Sequence, residues 1–171
     1  ANSATGSSSI VINPTPTASI SGGGTYCSGI NPGNIQVALS GSPNWTLNYT
    51  FNGNPLSVSS SSNTISLGNT PGTYVLNAIS DNNCTGTAVG SQVISLTTLP
   101  TATLSGGGTF CVGQSVSPIN VAVTGSPNWT VNYTLNGNPL TQTGTASPIN
   151  LGTAAGTYAL TSISDAACSN A

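Results

Sequence analysis

"GSPNWTLNYTFNGNPL" at residues 41–56 returns as "GSPNWTVNYTLNGNPL" at 125–140, and this duplication decides how the chain is built. Inside it, Trp45, Leu47, Tyr49 and Phe51 alternate with Thr46, Asn48, Thr50 and Asn52. Successive side chains of a strand point to opposite faces, so a period of two predicts a strand with one buried side. "NGNP" at 52–55 and 136–139 follows, and Asn-Gly accepts positive φ, which predicts a tight hairpin. Ile35, Val37 and Leu39 alternate likewise, as do Tyr74, Leu76 and Ala78.

Outward from this block the duplication continues. "PTASISGGGTYC" (16–27) returns as "PTATLSGGGTFC" (100–111), and "GTYVLNAISDNNC" (72–84) as "GTYALTSISDAAC" (156–168). Each match is offset by 84 residues, so one structural unit is used twice. The expected organisation is an opening segment at 1–15, a first domain at 16–99 and a second at 100–171. Roughly seven short strands per repeat, separated by turn residues, predict an all-β sandwich with its Trp buried on the third strand.

"GTYVLNAISDNNCTGT" and the "GGGTFC…SPNWTVNYTLNGNP" block resemble the Ig-like repeats of very large secreted proteins of the Bacteroidetes. Those are adhesin-type and gliding-associated surface proteins exported by the type IX system. The resemblance covers essentially the whole chain. It implies two tandem Ig-like β-sandwich domains, a secreted or cell-surface location, and a role as spacer or scaffold. Those repeats carry ordinary Lys, Asp and Glu contents; this chain does not.

Its composition is extreme. Of 171 residues none is Lys, Arg or His, and Asp81 and Asp165 are the only acids. About a quarter of an ordinary globular sequence is charged. With no cations, attraction to nucleic acid or to anionic lipid has no source, and neither partner is expected. No apolar run approaches the ~20 residues of a membrane helix, so no membrane insertion is expected. The first residues lack the basic and apolar regions of a signal peptide and read as a mature or excerpted chain. A net charge of −2 protects poorly against association, which points to a polymer, a coat of covalent glycans, or both.

The same composition argues against an enzyme. There is no His, Lys, Arg or Glu to serve as acid, base or oxyanion clamp, and no cofactor or metal is expected. Asp81 and Asp165 are counterparts in two repeats, placed to form an Asx-type turn before Cys84 and Cys168. One Asp per repeat is too few for a calcium site.

The opening stretch has the sequence of a closing strand. In the 84-residue register "SSIVINPTP" (8–16) falls on "QVISLTTLP" (92–100), matching Ile10 to Ile94 and Ile12 to Leu96. Residues 85–99 follow Cys84 and must close the first domain, with Ile94 and Leu96 expected to face its core. After Cys168 the sequence holds no such strand. The expectation is that a donor strand built on Ser8, Ile10, Val11 and Ile12 leaves its own chain and completes a neighbour's second domain. Such a contact is head-to-tail, so its repetition makes a homopolymer of identical subunits. The alternative is an excerpt of a long covalent array, an adhesin stalk or a carbohydrate- or surface-binding module.

Four cysteines allow three pairings. Repeat equivalence favours Cys27–Cys84 and Cys111–Cys168, one bond per domain and an oxidising, extracellular location; four buried thiols are the other reading. Asn44, Asn48, Asn83, Asn128 and Asn132 head N-x-S/T triplets and are candidate glycosylation sites, beside O-linked sugar on Ser and Thr. "SGGGT" lacks the Lys of a phosphate loop and reads as a bulge or turn. Trp45, Trp129, Tyr49 and Tyr133 share faces with aliphatics and read as core rather than as a sugar platform.

Overall fold

The computed structural model describes residues 6–170, and every regular element among them is a strand. It divides into two units. One holds residues up to Tyr26 with Asn31–Ser95, the other Cys27–Ile30 with Leu96 onward.

The first unit follows from its alternation. Its strands are β1 (Thr17–Ser21), β2 (Gly24–Cys27), β3 (Ile35–Ser40), β4 (Trp45–Phe51), β5 (Asn54–Ser60), β6 (Thr64–Gly68), β7 (Gly72–Ser80), β8 (Thr85–Val89) and β9 (Ser91–Thr97). One layer runs β6–β3–β1 and the other β5–β4–β7–β9–β2. They join through β8, parallel to β1 and antiparallel to β7. Val37, Leu39, Trp45, Leu47, Leu76 and Ile79 meet between the layers as a buried core. The indole Nε1 of Trp45 donates to Ser40 O at 2.9 Å, so the buried ring leaves no polar atom unpaired. Asn52 and Gly53 have φ of 50° and 82°, the double positive φ of a two-residue hairpin, and Phe51 pairs with Asn54.

The triple glycine moves the chain between layers. β1 pairs with β3, whereas β2 lies beside β9, so the chain changes layer at Gly22 and Gly23. Both have positive φ, and a Cβ on Gly23 would sit 2.7 Å from Val93 O. Only glycine fits that conformation and that approach.

The second unit repeats the plan with β10 (Thr101–Ser105), β11 (Ile119–Thr124), β12 (Trp129–Leu135), β13 (Asn138–Gly144), β14 (Ile149–Gly152), β15 (Tyr158–Ser164) and β16 (Ser169–Asn170). Its layers are β10–β11–β14 and β13–β12–β15–β16. Val121, Trp129, Val131, Ile149 and Ile163 form its core. Two pieces differ. Gly108–Cys111, the counterpart of β2, forms no strand, and among the described residues nothing takes the place of β9.

Two expectations are corrected here. Leu96 is 47% exposed, because β9 pairs with β7 only as far as Ile94 opposite Gly72 and has no core beneath it beyond that point. The disulfide joins Cys27 to Cys168, in place of Cys27–Cys84 and Cys111–Cys168. The cause is strand direction. Cys27 ends β2 level with Thr97, beyond the start of β7, whereas Cys84 lies beyond the end of that nine-residue strand. About 3.3 Å per residue puts them roughly 30 Å apart, and a disulfide requires Cα atoms within about 7 Å. Cys27 and Cys168 meet it, with Cα atoms 5.8 Å apart.

Candidate assembly site

In the first domain Ile94 is the closing piece. It is 1% exposed and packs with Ile35 and Tyr74, with Tyr26 at the margin. The β7–β9 pairing sets Gly72 opposite Ile94 and Tyr74 opposite Gln92, and Thr25 Oγ1 meets Ser95 Oγ at 2.8 Å on the β2 side.

The counterparts of these residues in the second domain surround a cavity. It has a volume of about 520 Å³ and is lined by Gly108, Phe110, Cys111, Ile119, Gly156 and Tyr158. Shifted back by 84 these are Gly24, Tyr26, Cys27, Ile35, Gly72 and Tyr74, of which Tyr26, Ile35, Gly72 and Tyr74 adjoin Ile94. Ile35 and Tyr74 are buried, whereas Ile119 and Tyr158 are each partly open to solvent. A second hollow of about 210 Å³, bounded by Ala102, Leu160 and Ile163, lies at the counterpart of the place Ala88 fills on β8. The cavity residues Phe110, Ile119, Gly156 and Tyr158 were not singled out by sequence reasoning. Their only signal is the repeat register, which becomes informative once the contacts of Ile94 are seen.

The residue that matches Ile94 is Ile10. Residues 6–16 form no strand, and Ile10 is 92% exposed, with Val11, Ile12 and Ser8 also exposed. The first five residues of the expected 1–15 donor segment lie outside the described residues. Pro16, which follows the segment and opens the first domain, is buried.

The aspartates build the turns expected of them. Asp81 Oδ1 accepts from the backbone N–H of Asn83 (2.8 Å) and Cys84 (2.7 Å), and Oδ2 from Ser42 N–H (3.0 Å). Asp165 does the same with Ala167, Cys168 and Ser126 at 2.8, 2.7 and 2.8 Å. The N–H donors, Ser42 foremost for Asp81 and Cys168 for Asp165, hold both carboxyls below the usual carboxylate range. Cys84 and Cys111 are free thiols, the first partly exposed and the second exposed. No cluster of three or more His, Cys, Asp or Glu occurs among the described residues.

Among the candidate sugar acceptors, Asn44, Asn48, Asn83 and Asn128 are exposed. Asn132 is not free: its amide donates to Ser162 Oγ at 2.9 Å and accepts from Thr141 Oγ1 at 2.8 Å. The rings of Trp45, Trp129 and Tyr133 are buried in the cores, and Tyr49 packs against one.

Residues 16–93 match the family model for the nucleoporin pom152-like, ninth immunoglobulin-like domain. With the strand layout above, this makes the chain all-β and its domains Ig-like β-sandwiches. A solved structure of a 1.5-MDa bacterial ice-binding adhesin, from work on its retention at the host cell surface, is similar at 16% identity and a TM-score of 0.40. That match covers 89% of this chain and 60% of the adhesin chain. No curated protein matches.

Proposed function

We propose that the chain is a mechanical, non-catalytic subunit of an extracellular filament, assembled head-to-tail by strand donation. The observation that carries this is the match in register between an exposed apolar segment that joins no sheet and a cavity in the second domain. Applying the β7–β9 register, Ile10 sits opposite Gly156 and Ser8 opposite Tyr158 of a neighbouring copy. Burying the Ile10 side chain contributes about 1.5–3 kcal/mol, and each added backbone hydrogen bond about 0.5–1.5 kcal/mol. A few such contacts per junction suffice for durable assembly. The disulfide supports an oxidising, extracellular setting.

A second reading is a stalk segment of a long, covalently continuous surface adhesin. The two similar domains at a constant 84-residue offset favour it, since such arrays are built this way. There the cavity is filled by a strand from the same polypeptide.

The test is to image the purified chain beside Ile10→Asp by electron microscopy. Ile10 is exposed in its own chain, so the substitution leaves each domain intact. Filaments from the parent and none from the variant support donation; filaments from both refute it. Boiling native fibres in denaturant with reductant then separates the two readings. A band near 16.8 kDa, heavier if glycosylated, fits the subunit, and a very large species the stalk.

A further inference from the structure

Cys84 and Cys111, the free thiols, each copy one half of the disulfide already formed. Resting on the strand-donation reading, we propose that they bond to each other between copies. Cys111 of one copy joins Cys84 of the copy whose opening strand it holds, making the filament covalent.

The argument is the repeat register applied to the observed bond. Cys84 is set by the same turn as bonded Cys168: in both, an Asp carboxylate accepts the cysteine N–H at 2.7 Å, and the Asp N–H donates to the cysteine carbonyl at 2.9 and 2.8 Å. Cys111 is set by the same turn as bonded Cys27. Ile30 N–H donates to Cys27 O at 3.0 Å and Gln114 N–H to Cys111 O at 3.1 Å.

The surroundings repeat too. Beside bonded Cys27, Ser28 donates through its N–H (2.8 Å) and its hydroxyl (3.0 Å) to Thr97 O, at the end of β9. The counterpart of Thr97 is Asn13, and its carbonyl oxygen lies 3.9 Å from Cys84 Sγ. The counterpart of Ser28 is Val112, which is fully exposed. Cys111 lines the cavity proposed to receive Ile10. A copy that seats residues 7–13 of the next therefore carries its own Cys111 and Val112 to that copy's Asn13 and Cys84. Cys27 and Ser28 stand in that relation to Thr97 and Cys168.

The chemistry is thiol–disulfide exchange with a small-molecule disulfide oxidant such as oxidised glutathione. One cysteine thiolate attacks the oxidant, forming a mixed disulfide and releasing one glutathione thiolate. The second protein thiolate attacks the protein sulfur of that mixed disulfide and releases the other glutathione. Two protein thiols are oxidised to one disulfide, and one glutathione disulfide is reduced to two thiols.

The full chain, with oxidised glutathione, is read on non-reducing denaturing gels. The parent is expected to give a ladder of covalent multimers that reductant collapses. Cys84→Ser and Cys111→Ser alone are expected to give monomer, and their equal mixture a single dimer band with no ladder. Homodimers of either single variant in comparable yield, or no dimer from the mixture, overturn the proposal. Ile10→Asp keeps both thiols and is expected to lose the ladder; a ladder that persists overturns the proposed geometry. Parent filaments that form without a ladder sink the disulfide alone, and absence of both filaments and ladder sinks strand donation with it.

Discussion

Ile94 packs on Tyr74 where β9 closes against β7, and the two side chains are 1% and 2% exposed. Their counterparts are Ile10, which is 92% exposed, and Tyr158, which lines a cavity. The contact is thus made in the first domain, and among the described residues it is not made in the second. Ile94→Ala should cost about 2–5 kcal/mol of first-domain stability, the range for truncating a buried aliphatic side chain. Denaturant unfolding followed by fluorescence checks this, and Leu96→Ala, at an exposed position, should stay within about 0.5 kcal/mol of the parent.

A synthetic peptide of residues 7–14 should stabilise the chain by acting as a free donor strand. At one hundred times its dissociation constant it should add about 2.7 kcal/mol to the domain it binds. The same peptide with Asp at the position of Ile10 should add nothing. Thermal unfolding with increasing peptide measures both.

Acid should weaken both domains together. Backbone N–H donors, led by Ser42 at Asp81 and Cys168 at Asp165, lower these carboxyl pKa values in the folded state. A lowered folded pKa means that the stabilisation is present above the ordinary value of about 3.9 and is lost as pH falls below it toward the folded value. With no His, Lys, Arg or Glu in the chain, stability should be nearly flat from about pH 5 to 8 and drop below about pH 4. Melting curves across that range test the sign, and the Asp81→Asn/Asp165→Asn double variant should flatten the acid limb.

Removing the formed disulfide should be costly, and removing the free thiols cheap. Cys27→Ser/Cys168→Ser opens a bond spanning 141 positions and should cost about 2–5 kcal/mol of stability. Cys84→Ser and Cys111→Ser should leave the melting temperature of the monomer unchanged, because neither thiol is bonded within the chain.

How much the sequence disclosed depends on the range of each interaction. The Asn52–Gly53 hairpin, the Trp45 strand and the Asp81 turn are local: period two, positive φ and a carboxylate two and three residues from its N–H donors are legible in a few residues. The pairing of Cys27 was not legible, because two repeats with the same cysteine spacing leave those cysteines equivalent whether bonds run within repeats or between them. Only the side-by-side run of β2 and β9, a contact some 70 residues apart in sequence between Thr25 and Ser95, decides the matter. Leu96 was misjudged for a related reason. Alternation assigns its face, but burial requires a partner strand beneath it, and β7 does not reach that far. The cavity at Tyr158 and Ile119 carries no motif at all; it exists as a shape left between strands.

The most direct test of strand donation is a high-resolution reconstruction of the native fibre, asking where Ile10 lies. The account predicts its side chain among Ile119, Gly156 and Tyr158 of an adjacent copy, with density joining Cys84 of its own copy to Cys111 of that neighbour. Ile10 folded against its own first domain, or left in solvent with another segment in the cavity, would contradict it.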